Sequence, residues 1–256
     1  MPPKRVAAAK PAGRGPKKAK LCVELPARTE IAGRPTIVIG KEIGKGGFAR
    51  VYSGEVKDTK VACAVKFEPS DNGCLFVEQK LFQSIFTEKA LDTYKAKKKL
   101  KWLGLPHCVR FGLFTYAEQE LRFIAMPLYH SSLQAYIDGR PGKVLTLAEV
   151  QNTCIPRTLC TRTLKAENLM FPLTAKSDLQ KLTLIDFGMA GRNADTAVEQ
   201  PKAKSAHNGT AYFTSTDAHR GCAPTFRGDY EILGHNLLCW FAGLEKLPWK
   251  NLVKDL

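Results

Sequence analysis

From Thr36 onward the apolar residues come in short runs broken by glycine and polar turns. Thr36–Ile43 predicts a strand, Gly44-Lys45-Gly46-Gly47 a turn and Arg50–Val56 a second strand, together a hairpin with a glycine-rich tip. Lys60–Phe67 (KVACAVKF) predicts a third strand, and the apolar spacing of Leu75–Thr87 (LFVEQKLFQSIFT) is helical. Arg110–Tyr116 and Leu121–Pro127 predict two more strands, so the first half is expected to be an antiparallel sheet with one inserted helix. In the second half, Lys181–Ile185 predicts a strand, the polar stretch Arg192–Asn208 a long loop and Asp229–Gly243 (DYEILGHNLLCWFAG) an apolar helix. No internal repeat is visible.

At 256 residues, 44% hydrophobic and 25% charged, the chain can bury a substantial core without disulfides. No run approaches the ~18 consecutive apolar residues of a membrane-spanning helix. The first residues carry charge rather than an apolar stretch, which predicts no secretory signal. The eight cysteines lack paired short spacings, which predicts reduced thiols and a cytosolic or nuclear address. The net charge of +15 is unevenly placed: Lys4, Arg5, Lys10, Arg14, Lys17, Lys18 and Lys20 lie in a stretch with no acidic residue. Residues 1–34 are therefore expected to be a disordered basic tail, with residues 1–20 able to contact nucleic-acid phosphate or chromatin. Pro16-Lys17-Lys18-Ala19-Lys20 also fits a nuclear-import signal, and the plainer alternative is a solubilising tail. Lys95, Lys97, Lys98, Lys99 and Lys101 fit a solvated helix face that needs no function.

Candidate chemistry enters through four separated motifs. Gly44-Lys45-Gly46-Gly47-Phe48-Ala49-Arg50-Val51 is a GxGxxA loop between strands, where glycine lets backbone N–H groups approach phosphate. Alone it is weak, since many hairpin tips are glycine-rich. Ala64-Val65-Lys66 follows in a strand, and Glu78 on the next helix can pair with Lys66 and hold it against the α and β phosphates of a nucleotide. Lys165-Ala166-Glu167-Asn168-Leu169 precedes Leu184-Ile185-Asp186-Phe187-Gly188; Asn168 and Asp186 carry oxygen ligands suited to magnesium, and Lys165 can reach a γ-phosphate. Each has an ordinary structural alternative, Asn168 as a turn former and Asp186 as a cap, but their order along one chain is not expected by chance.

With these motifs the chain resembles the eukaryotic protein kinases, and within them the vaccinia-related kinase family near the casein-kinase-one group. The closer resemblance rests on Glu68-Pro69-Ser70-Asp71-Asn72-Gly73, on Leu100-Lys101-Trp102-Leu103-Gly104-Leu105-Pro106 and on the run from His207 to Gly234 (HNGTAYFTSTDAHRGCAPTFRGDYEILG), and it covers roughly Pro35 to Leu252. It implies an α+β, two-lobed protein-kinase-like fold over 35–256: an antiparallel-sheet N-lobe at about 35–127 and a mostly helical, incomplete C-lobe at about 128–256. It further implies a Ser/Thr kinase that uses ATP and Mg2+, acts on protein substrates, is monomeric and not bound to membrane, and works in the nucleus and also the cytoplasm. Gly44, Gly46, Gly47 and Val51 would cover the nucleotide, Met126 through Tyr129 would form the adenine hinge, and Asp229 matches a buried aspartate that braces the catalytic loop. Ala223-Pro224-Thr225 stands where most kinases have Ala-Pro-Glu. Thr210, Thr214 and Ser215 fall in the activation segment, either as modification sites or as shapers of the substrate platform. The cysteines and His107, His130, His207, His219 and His235 show no metal-ligand spacing.

The departures from the family are sharp. Its catalytic loop reads His-Gly-Asp or His-Ala-Asp, and that aspartate accepts the substrate hydroxyl proton. Here Thr161, Arg162 and Thr163 occupy those positions, and a threonine cannot be that base at neutral pH. The apolar helix leading into the loop is replaced by QNTCIPRTLCTR, about ten residues too short and interrupted by Pro156. The chain stops soon after Leu247-Pro248-Trp249, so the family's last helices are expected to be missing. One reading is a pseudokinase that serves as a nucleotide-binding or chromatin-docking scaffold. The other comes from the genetic code. In a shifted frame, Gln151 becomes Lys or Glu, Asn152 Tyr or His and Cys154 His or Tyr, while Leu159 through Arg162 can read Val-His-Ala-Asp, directly ahead of Leu164-Lys165. On that reading a gene-model, splicing or sequencing error removed a segment near Val150, and the frame recovers near Thr163.

Overall fold

The computed structural model describes residues 20–153, 161–191, 210–222 and 225–255. Its small lobe is a six-stranded antiparallel sheet in the order β1-β2-β3-β4-β6-β5. The strands are β1 (Glu30–Ile31), β2 (Ile37–Lys45), β3 (Arg50–Val56), β4 (Ala62–Pro69), β5 (Arg110–Tyr116) and β6 (Gln119–Pro127). Between β4 and β5 lie two helices, α1 (Cys74–Ser84) and α2 (Glu88–Lys97), where one was expected. The chain breaks at Thr87, whose hydroxyl oxygen accepts the Ala90 N–H at 3.3 Å and starts α2 as a separate helix. α2 has no buried residue and carries Lys95 and Lys97 in its last turn, in keeping with a solvated basic face.

Period-two alternation along β4 decides which side chains enter which core. Cys63, Val65 and Phe67 enter one core with Ile37, Ile39, Tyr52 and Phe123. Ala64, Lys66 and Glu68 face the opposite side, where Ala64 joins a second core with Ile124, Phe82, Phe86, Phe187, Leu169 and Trp240. That second core joins the sheet to the other lobe and sets Lys66 at its margin. Gly44 and Lys45 belong to β2, pairing with Val51 and Arg50. The expected glycine turn thus narrows to the tip, where Gly46 N–H donates to the Ala49 carbonyl at 2.8 Å.

The boundary expected at residue 34 does not describe the fold. Cys22, Leu25 and Ile31 are buried in the sheet core, because a short apolar run is enough to cap an otherwise open sheet face. Leu25 N–H donates to the Tyr52 hydroxyl at 2.9 Å, Val23 N–H to Gln119 Oε1 at 2.9 Å, and Lys20 N–H to Asn72 Oδ1 at 3.1 Å. Residues 1–19 lie outside the described residues, as do 192–208 of the expected loop and Pro156.

Leu128 carries the chain into the large lobe, whose small sheet is β7 (Tyr129–Ser132), β8 (Leu169–Pro172) and β9 (Thr183–Leu184), all antiparallel. Its helices are α3 (Leu133–Asp138), α4 (Leu147–Asn152), α5 (Thr216–His219) and α6 (Phe226–Ala242). α4 opens with a capping box between Thr146 and Glu149, and its C-cap is Thr153. α6 is capped by Thr225, whose hydroxyl oxygen accepts the Gly228 N–H at 3.0 Å, and it ends at Gly243, whose φ of 90° favours glycine. Among the described residues no helix is long and apolar enough to cross a membrane.

Candidate active site

Lys66 projects from β4 toward α1, and its Nζ donates to Glu78 Oε2 at 2.9 Å and to Asp186 Oδ1 at 2.8 Å. Glu78 is fully buried, and its second oxygen accepts the Phe187 N–H at 3.2 Å. One carboxylate therefore ties the lysine strand to the backbone beside Asp186. Phe187, also fully buried, stacks edge-on against Phe86 at 4.7 Å, and Phe86 against Phe82 at 5.4 Å, which anchors this segment under α1. Burial alone would lower the Lys66 ammonium, but the Glu78 and Asp186 carboxylates outweigh it and raise the group above its ordinary value. For Asp186 burial pushes upward, and the charge and hydrogen bond of Lys66 prevail, holding the carboxyl below the usual range.

The opposite wall is the loop from Thr161 to Asn168. Asp229, in the first turn of α6, accepts the Thr161 N–H at 2.6 Å and the Arg162 N–H at 3.0 Å, and so plays the bracing part the sequence suggested. Burial raises Asp229 above the ordinary aspartate value, and these N–H groups oppose that rise. Arg162 has φ 56° and donates from Nη2 to the Cys222 carbonyl at 2.6 Å. Asn168 Nδ2 donates to the Thr163 carbonyl at 2.8 Å, and Thr163 Oγ1 donates to the Asp186 carbonyl at 2.7 Å. Thr163, Lys165, Asn168 and Asp186 all line one cavity of about 270 Å³, walled on the far side by Thr210 and Phe213.

The sequence-predicted residues thus converge in two groups around Asp186. Val51 pairs in register with Lys66, and Met126 with Ala64, so both lie on the face of the sheet that carries the lysine. Gly44, Gly46 and Gly47 lie at the hairpin tip: an added Cβ at Gly47 meets nothing within 4 Å, and one at Gly44 touches only Val51. Tyr129 is the first residue of β7, directly after Met126–Leu128, and burial pushes its phenol above the ordinary tyrosine value. Of the residues expected in the activation segment, Ser215 is buried and its hydroxyl caps α5 by accepting the Ala218 N–H at 3.3 Å, while Thr214 Oγ1 donates to the Thr210 carbonyl at 3.2 Å. The clamp on Phe187 N–H and the Arg162–Cys222 bond carry no signal in the sequence, since both use backbone groups.

The donor set suits magnesium. Asp186 is ionised at neutral pH, and Asn168, having committed its N–H to Thr163, offers its amide oxygen; both are the hard oxygen donors that such a cation takes. Thr163 offers a hydroxyl whose proton is already given to a carbonyl, not a basic oxygen.

A sheet lobe with a lysine–glutamate pair, set over a lobe with a braced loop and an aspartate turn, defines the protein-kinase class. No family model matches the chain. It is 36% identical over 265 residues to serine/threonine-protein kinase VRK1 of Caenorhabditis briggsae, covering 98% of this chain and 45% of that protein. It is 35% identical over 221 residues to nucleosomal histone kinase 1 of Drosophila melanogaster, covering 82% and 36%. To the B1 kinase of vaccinia virus (strain Ankara) it is 30% identical over 227 residues, covering 84% of this chain and 73% of the viral protein. The solved structure of vaccinia related kinase 3 shares the fold with a TM-score of 0.77 at 24% identity, covering 91% of this chain and 74% of that one. The chain belongs to the vaccinia-related kinase family of serine/threonine protein kinases. It spans less than half the length of the first two of these relatives.

Proposed function

We propose that the function encoded here is transfer of the γ-phosphoryl group of ATP to Ser or Thr hydroxyls of proteins, and that this chain, with Thr163 at the base position, binds the nucleotide but transfers very slowly. The observation that carries the reading is Lys66 Nζ held between Glu78 and Asp186 at 2.9 and 2.8 Å. In this role Lys66 positions the α and β phosphates, the hairpin of Gly44, Gly46 and Gly47 covers them together with Val51, and Met126 through Tyr129 border the adenine. Lys165 neutralises charge that develops on the transferring group. Magnesium held by Asp186 and Asn168 would supply further neutralisation of the phosphates. Substrates are placed on chromatin or elsewhere in the nucleus, supported by the basic residues before Lys20 and by the name of the Drosophila relative.

Titration with a fluorescent ATP analogue tests this. Magnesium-dependent binding that Lys66→Met abolishes is expected; no binding to the intact chain would sink the reading.

The absent base is assigned to a frame displacement in the coding sequence between codons 151 and 163, supported by the permitted His-Ala-Asp string at the family's spacing. Transcript sequenced across codons 140 to 170 should restore that string. Confirmation of Thr161-Arg162-Thr163 would instead leave a pseudokinase scaffold, which the engaged hydroxyl of Thr163 favours.

A further inference from the structure

We infer that Glu68 is a positioning residue for the transfer site: its carboxylate, on the strand that carries Lys66, sets the place of helix α1 and so aims Glu78 at the lysine. The role rests on the phosphoryl-transfer reading above and adds a residue to it. Glu68 lies two residues beyond Lys66 in β4, on the same face of the strand, and is 4% exposed. Its Oε2 accepts the Leu75 N–H of α1 at 2.5 Å, and Leu75 is itself buried in the core that joins the lobes. Leu75 and Glu78 are three residues apart, neighbours on one face of the helix. One strand therefore holds one helix twice, at Leu75 through Glu68 and at Glu78 through Lys66.

Helix α1 depends on that outside carboxylate because it carries no cap of its own. Gly73 stands at its N-cap with no side chain to accept an N–H, and its first turn has no acidic residue. A carboxylate from β4 meets both needs, satisfying a buried N–H and facing the positive end of the helix. Burial pushes the Glu68 carboxyl above its ordinary value, while the Leu75 N–H and the charges of Lys66 and Arg122 pull the other way. Arg122, opposite Glu68 on β6, settles the rotation of the helix. Its Nη1 donates to Gln79 Oε1 at 2.5 Å, and its guanidinium lies over the Phe76 ring at 5.0 Å.

A serine or aspartate at the N-cap would serve the stability of α1 equally well, yet it would leave the helix free to shift against the sheet. A cap drawn from the strand of Lys66 fixes instead the spacing between the two partners of the ion pair. Its reach extends one step further, because Glu78 Oε1 accepts the Phe187 N–H beside Asp186. Displacing α1 would loosen that bond, and with it the segment of the candidate magnesium ligand.

Amide hydrogen exchange, followed residue by residue in the intact chain, tests the role. Glu68→Ala is expected to speed exchange of the Phe187 N–H by about tenfold or more, while the Leu145 N–H, bonded to the Trp240 carbonyl in the large lobe, keeps its rate. Adding Gly73→Asp to Glu68→Ala gives α1 a cap of its own, at a position where an added Cβ meets nothing within 4 Å, and keeps the helix folded should the single variant lose it. Fast Phe187 exchange should persist in the double variant, and its affinity for the fluorescent ATP analogue should stay about tenfold below that of the intact chain. Recovery of both by Gly73→Asp would make Glu68 a plain helix cap and overturn the inference. Unchanged Phe187 exchange in Glu68→Ala, or an equal rise at Leu145, would overturn it too. Should Phe187 respond as expected in a chain that binds no nucleotide, Glu68 keeps its positioning part and the phosphoryl-transfer reading falls.

Discussion

The hydroxyl of Thr163 is bonded to the backbone carbonyl of Asp186 at 2.7 Å, so the residue proposed to stand at the base position is pinned to the segment that carries the candidate metal ligand. Thr163 therefore lines the cavity with a hydroxyl that is already engaged, and on the reading proposed above it stands where a carboxylate base would be needed. Thr163→Asp should raise the rate of phosphoryl transfer by ~10²–10⁴-fold, the usual worth of a positioned general base. Single-turnover transfer from labelled ATP to a protein acceptor measures it. An unchanged rate together with unchanged nucleotide affinity would mean that the loop, and not only its side chain, is unsuited to catalysis.

The Lys66–Asp186 pair makes a pH prediction. Asp186 lies below its ordinary value of 3.8, so its contribution to stability is complete above that pH and is lost as the pH falls through the lowered value. Lys66 is raised above 10.5, so its share is complete below that pH and is lost only as the pH rises through the raised value. Between these limits urea midpoints should be flat as far as the pair is concerned. Lys66→Met leaves Asp186 with the upward push of burial, and its loss of stability with acid should begin at a higher pH. Urea titrations of both proteins across the acid range check the displacement.

Asp229 holds two backbone N–H groups of the loop, and Thr161 is 4% exposed, so removing the carboxylate leaves donors with little water to turn to. Asp229→Ala should destabilise by about 2–4 kcal/mol and lower the melting temperature by roughly 5–15 °C. Calorimetry gives the value directly. A drop of a degree or two would show that the loop is held by other contacts.

Gly54 separates two kinds of glycine in the hairpin. An added Cβ there would lie 2.9 Å from the Val38 carbonyl oxygen, a backbone atom that cannot swing away, whereas one at Gly47 meets nothing. Gly54→Ala should cost about 1–3 kcal/mol and Gly47→Ala less than about 0.5 kcal/mol. Denaturant melts of the two variants make the comparison, and equal losses would contradict it.

Much of this was legible along the chain because the decisive signals are local. Arg50–Val56 and Arg110–Tyr116 are strands with the bounds their alternation predicts, and α6 begins within three residues of the expected start. Lys66, Glu78, Asn168 and Asp186 could be named because each sits in a short pattern tied to one element. What escaped depends on distance. β1 and the segment from Lys20 to Leu25 carry too few residues for a period to show, and their place is set by Tyr52, Asn72 and Gln119 far along the chain. α2 escaped because Glu88–Lys97 buries no residue and so shows no apolar stripe, leaving only the cap at Thr87 to mark its start. Asn236 looked like any polar residue on an apolar helix, and only its surroundings show that its Oδ1 meets no donor among the described residues.

The segment from Lys20 to Leu25 bears on how the small lobe is completed during synthesis. Val23 finds its partner at Gln119, which the ribosome makes 96 residues later. Leu25 can reach Tyr52 earlier, but the sheet face it helps to seal includes Phe123 and Ala125 of the last-made strand. Until β6 emerges, the leading residues have no finished surface to lie on, and such long-range closures are slow relative to local ones. The part of the lobe that leaves the ribosome first is thus fastened last, and a growing chain halted before residue 119 would display the apolar face that the finished protein hides.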